Sequence, residues 1–165
     1  MSKAINKANT SRIRLLVTGL ATGIVIVSGI LGLNDYRERH PGVNISGEWR
    51  IENTIERTTY RPYEGMRLGY RMFFYQNGKD VSATGEKCAQ DDRPLPSFAH
   101  TPIEFKGTIE GLRLSGTFTE KGELRVTTGT FAWEISSGGK RLAGRFTSTA
   151  ASSSGPSLGT RVLTP

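Results

Sequence analysis

The sequence predicts an all-β domain, an antiparallel meander of about eight strands forming a small barrel or a sandwich, preceded by one N-terminal transmembrane helix. Three observations predict it. One uninterrupted apolar run stands near the start, alternation of period two recurs through most of the chain beyond it, and the connectors between alternating stretches are short and turn-forming.

The apolar run is Leu15 to Leu33, LLVTGLATGIVIVSGILGL, with no charge and no proline. Its nineteen residues, at about 1.5 Å each, reach roughly 28 Å, close to a hydrocarbon core. Lys3, Lys7, Arg12 and Arg14 precede it, against Arg37 and Arg39 just after, which predicts a cytoplasmic N-terminus and an extracytoplasmic domain, periplasmic in a bacterium. A cleaved signal peptide is the rival reading; it calls for a shorter apolar run and small residues at a cleavage site. The chain divides into a tail (1–14), the helix (15–33), a linker (34–44) and the β domain (45–165). Gly19 and Gly23 form G-x-x-x-G, a spacing that lets helices approach closely and suits a helix-mediated dimer or a membrane-protein partner.

The formal charge of +7 is spread over both parts. Residues 1–40 hold six Lys/Arg against two acids, and the domain holds sixteen against thirteen, so most of the excess belongs to the anchor and its flanks. With that orientation, nucleic acid is not an expected partner. The single cysteine, Cys88, excludes an internal disulfide, so the domain relies on its core.

Ile45, Gly47, Trp49 and Ile51 share one parity and open the first strand. Pro62 and Gly65 mark an irregular turn, after which Met66, Leu68, Tyr70, Met72 and Phe74 alternate. Asn77-Gly78 predicts a type I′ hairpin between strands 66–76 and 79–88. Ala89 to Thr101, with two prolines and two adjacent acids, predicts the longest loop. Strands come next at about 102–110, 112–120, 123–135 and 139–149, then a small-residue loop at 150–157 and a last strand in LGTRVL. The inward sets are Ile103, Phe105, Gly107 and Ile109; Leu112, Leu114, Gly116 and Phe118; and Leu142, Gly144 and Phe146. A glycine on the apolar side lets a strand bend and leaves room for a neighbour's ring. Leu124 and Val126 differ in parity from Gly129, Phe131 and Trp133, which predicts a bulge near Thr127–Thr128.

The sequence GEW at Gly47 to Trp49, on the first strand of an antiparallel barrel, resembles the G-x-W signature of lipocalins and other calycins. The resemblance implies a tryptophan closing one barrel end against an arginine from a late strand, a part open to Arg161. The chain departs from the pattern in its shorter domain, the absence of a disulfide and the absence of a C-terminal helix.

No catalytic constellation and no cofactor signature is present. GPSLG at Gly155 to Gly159 matches the letters of a nucleophile elbow, but no histidine comes after it and no strand-to-helix context surrounds it, so it reads as a turn. Cys88, Asp91, Asp92 and His100 are metal-ligand types at no familiar spacing and read as a solvated loop. Arg57, Arg61, Arg67 and Arg71 with interleaved tyrosines form a candidate partner face for anionic lipid headgroups or an acidic protein, or a charged edge that keeps a strand soluble. Trp49, Tyr70, Phe105, Phe118, Trp133 and Phe146, with Arg161, are the candidate ligand residues; their rings either line a cavity for a small apolar ligand or fill it. The expected function is a membrane-anchored binding module, with a non-catalytic accessory subunit of a membrane complex as the alternative.

Overall fold

Each stretch that alternates apolar and polar residues forms a strand, and eight such strands hydrogen-bond in a ring. The computed structural model describes residues 42–163; the predicted span at 15–33, with Gly19 and Gly23, lies outside the described residues. No helix among the described residues is long and apolar enough to cross a membrane. The strands are β1 (Gly47–Thr54), β2 (Arg67–Asn77), β3 (Asp80–Gln90), β4 (Arg93–Pro94), β5 (Thr101–Glu110), β6 (Arg113–Lys121), β7 (Val126–Ile135), β8 (Arg141–Ser148) and β9 (Ser153–Arg161). All pairs are antiparallel, β9 closes onto β1, and the two-residue β4 lies outside the ring, paired with β3 alone. The architecture is a barrel, not a sandwich: each of the eight main strands has a neighbour on both sides, so no long edge is left unpaired.

Several local expectations are corrected. Asn77 pairs with Asp80, so the loop is Gly78–Lys79 with φ 60° at Gly78 only, a type II′ turn, not I′. The I′ geometry occurs instead at Asp91–Asp92, both at positive φ (49° and 61°), between β3 and β4. Leu112 sits in the Gly111–Leu112 turn and is exposed, outside the inward set. The β6–β7 register runs unbroken through Thr127 and Thr128; Thr127 continues the inward parity of Phe131 and Trp133, while Leu124 and Val126 are exposed. The irregularity lies in β3, where Gly69 faces Ala89 and Tyr70 faces Lys87, which leaves Cys88 as the extra residue. Residues 153–157 belong to β9, not to a loop, and Ser157 is a buried strand residue whose hydroxyl accepts the Trp133 indole N–H at 2.9 Å.

The glycines have a common reason. Across the strand pairs Phe118 faces Gly129, Phe131 faces Gly116, Trp133 faces Gly144 and Phe146 faces Gly155. A methyl group at Gly129 would meet the Phe118 ring and the Thr147 carbonyl. Each of these four rings lies over a position with no side chain, which helps a narrow barrel hold so many aromatics.

Those rings form a connected column. Trp49 meets Phe74 at 6.0 Å between centroids, Phe74 meets Phe105 at 5.9 Å, Phe105 meets Trp133 at 5.7 Å, Trp133 stacks on Phe131 at 4.2 Å, and Phe131 meets Phe118 at 4.7 Å. Below the column the barrel is plugged by its own entering chain. Val43 and Ile45 are buried, Gln76 donates to the Val43 carbonyl at 3.1 Å and accepts from the Ile45 N–H at 2.9 Å, and the Trp49 indole donates to the Ile45 carbonyl at 2.8 Å. Arg161 donates to the Asn44 carbonyl at 3.1 Å and also to that of Ser46. The chain therefore enters at the closed end, with the turns at 78–79, 111–112 and 136–140. The loops at 55–66, 91–100, 122–125 and 149–152 gather at the other end.

Candidate functional site

At that other end the ring column stops at Phe118, and a cavity of about 690 Å³ opens above it. Small-molecule sites are typically ~300–1,000 Å³. The wall is apolar over much of its extent, from Ile55 past Met66 and Leu68 to Phe118 and Phe146. Phe98 from the β4–β5 loop and Leu124 from the β6–β7 loop stand on the rim, 85% and 98% exposed.

One side of the cavity is polar because strand parity puts charge indoors. Glu120 continues the inward register of β6 after Leu114, Gly116 and Phe118, and Lys87 continues that of β3 after Val81, Ala83 and Gly85. The Lys87 ammonium donates to Glu120 Oε1 at 2.7 Å, with side-chain exposures of 22% and 13%. The Tyr70 hydroxyl donates to Glu120 Oε2 at 3.2 Å. Burial, then the Glu120 charge, pushes the Tyr70 hydroxyl well above the usual phenol range. Behind that hydroxyl, outside the cavity wall, lies Asn53, 1% exposed on the inward face of β1, whose side-chain amide approaches Tyr70 and has no other partner among the described residues.

The loop that carries Phe98 is pinned on both flanks. Asp91 Oδ1 accepts the Arg67 N–H at 2.9 Å, and Asp92 pairs with the Arg67 guanidinium. His100 places Nδ1 3.0 Å from Glu86 Oε2 and Nε2 3.1 Å from the Leu95 carbonyl. Both neighbours only accept, so the two ring nitrogens donate together only in the imidazolium form. Arg71 holds the other Glu86 oxygen at 2.5 Å. The hydrogen bond from Arg71, then that from His100, keeps the Glu86 carboxyl below its ordinary range. No group of three His, Cys, Asp or Glu among the described residues could hold a metal ion.

Of the seven ligand residues expected from sequence, Tyr70, Phe118 and Phe146 line this cavity. Trp49, Phe105 and Trp133 lie in the packed column beneath it, and Arg161 is at the closed end. Lys87, Glu120 and Asn53 are not among the residues expected from sequence. The arginines divide: Arg57 and Arg61 stand exposed on the mouth loop with no acidic partner among the described residues, whereas Arg67 and Arg71 are paired with Asp92 and Glu86.

No family model matches the chain, and no curated protein matches it. Among solved structures it is similar to the monomer form of the M. tuberculosis PknI sensor domain, at 16% identity over 73% of this chain and 88% of that one, with a TM-score of 0.40. A likeness of that size carries no functional information.

Proposed function

We propose that this protein is a membrane-anchored binding module, displayed outside the cytoplasm, that holds a small amphipathic molecule in the mouth of its barrel. The observation that carries the reading is the partition of the interior: rings fill the barrel from the closed end up to Phe118, and a cavity opens at the end away from chain entry. The apolar run at 15–33 and its basic flank support the anchor and the orientation. The calycin-like reading is supported by Trp49 buried at the closed end and facing Arg161 across the β1–β9 pair.

The test uses N-phenyl-1-naphthylamine, an uncharged apolar fluorophore, added to the full-length chain held in an amphipathic polymer. Both tryptophans of the chain lie in the barrel, so energy transfer from tryptophan to the probe reports binding there. Saturable transfer is expected, weakened at least tenfold by Ser148→Phe, which places a ring in the cavity that Ser148 lines. No saturable transfer, or transfer indifferent to Ser148→Phe, would contradict the reading.

A further inference from the structure

Resting on that reading, we infer that the Tyr70–Glu120–Lys87 side of the cavity selects ligands whose polar head is uncharged and both donates and accepts hydrogen bonds, a primary amide above all. Lys87 and Glu120 face inward and neutralise one another at 2.7 Å. A carboxylate head that reaches Lys87 meets the Glu120 charge, and an ammonium head that reaches Glu120 meets Lys87. Either ion must also break a pair that is mostly withdrawn from solvent, which leaves one charge uncompensated. An uncharged head avoids both penalties.

The pair itself supplies the positive side of the selection. Lys87 and Glu120 both line the cavity, and beyond the bond they share the ammonium keeps N–H donors and the carboxylate keeps acceptor capacity. A primary amide accepts from Lys87 and donates to Glu120 at once, and it sets no charge against the pair. An alcohol does the same with one donor fewer. The aliphatic remainder of such a ligand lies against Leu68, Phe118 and Phe146.

The experiment displaces the naphthylamine probe from the full-length chain at pH 7 with octanamide, octanoate and octylamine, which share a chain length and differ in the head. Octanamide is expected to displace the probe at a concentration at least tenfold below either ion. Glu120→Gln, which frees the Lys87 charge, is expected to make octanoate the best competitor, and Lys87→Met to favour octylamine. If either ion competes as well as octanamide on the unmodified chain, or if the charge variants leave the ranking unchanged, the head selectivity is overturned while the binding module stands. Absence of saturable probe binding overturns the module itself, and the selectivity with it.

Discussion

Trp133 and Gly144 face each other across β7 and β8, and that pair embodies the packing rule of the barrel at its smallest scale. The backbone of β8 passes so close to β7 at Gly144 that a Cβ would collide with the Ala132 carbonyl. Replacing Gly144 with alanine therefore forces two hydrogen-bonded strands apart, and we expect a loss of about 3 kcal/mol, the upper range for overpacked interiors. Gly138, with open space around its Cα and no positive φ, is the control, and alanine there should change stability by no more than about 0.5 kcal/mol. Urea midpoints of the two variants check the contrast. The placement of glycine two residues before an inward apolar residue is legible in the sequence, because alternation fixes which side chains share a face. The cross-strand partner of each glycine is not, since register depends on turn geometry that one residue can shift. Leu112 shows this: alternation carries it inward, but the Gly111 turn takes it out of the strand.

Among the elements, the loop at 91–100 shows how a segment without hydrophobic period can still be fixed. Its order comes from polar clips at both ends: Arg67 on Asp91 and Asp92, and Glu86 on His100 and Arg71. The Glu86 carboxyl sits below its ordinary value of 4.5 because Arg71 and His100 hydrogen-bond its charged form. A depressed carboxyl contributes stability that is fully present above the unfolded value and is lost as pH falls through the folded one. We therefore expect the unmodified chain to be more stable than Glu86→Gln at pH 7 and the two to converge as the solution is acidified below about 4.5. Denaturant midpoints across that range measure it; a gap unchanged at low pH would show that the carboxylate does not act through its charge. Sequence reasoning takes Asp91, Asp92 and His100 for a solvated loop because the partners lie outside it, on strands β2 and β3, where only the folded register brings them alongside. It likewise takes 150–157 for a loop, since the inward residues Ser153, Gly155 and Ser157 carry no hydrophobic signal. They are small because Phe146 and Trp133 occupy the space before them.

For the whole molecule, the division between a sealed end and a hollow end decides what the fold can do. The meander and its closure are legible in short turns and sustained alternation, but alternation alone cannot say whether inward rings fill a barrel or line it. That depends on how far the aromatic column reaches. Here it reaches Phe118, and above it the inward register continues with Glu120 and Thr127 in place of rings. The signal for the polar side is present in the sequence, in a lysine and a glutamate falling on the inward parity at strand ends. It is lost when inward parity is traced through apolar residues alone. The measurement that tests the account most directly is hydrogen–deuterium exchange of the full-length chain with and without saturating N-phenyl-1-naphthylamine. Slowed exchange is expected at 63–70, 118–127 and 146–153, around the mouth, with the closed-end turns at 78–79, 111–112 and 136–140 unaffected. Protection centred on those turns and on 43–46, or no change anywhere, would contradict a barrel that is sealed where the chain enters and binds at its other end.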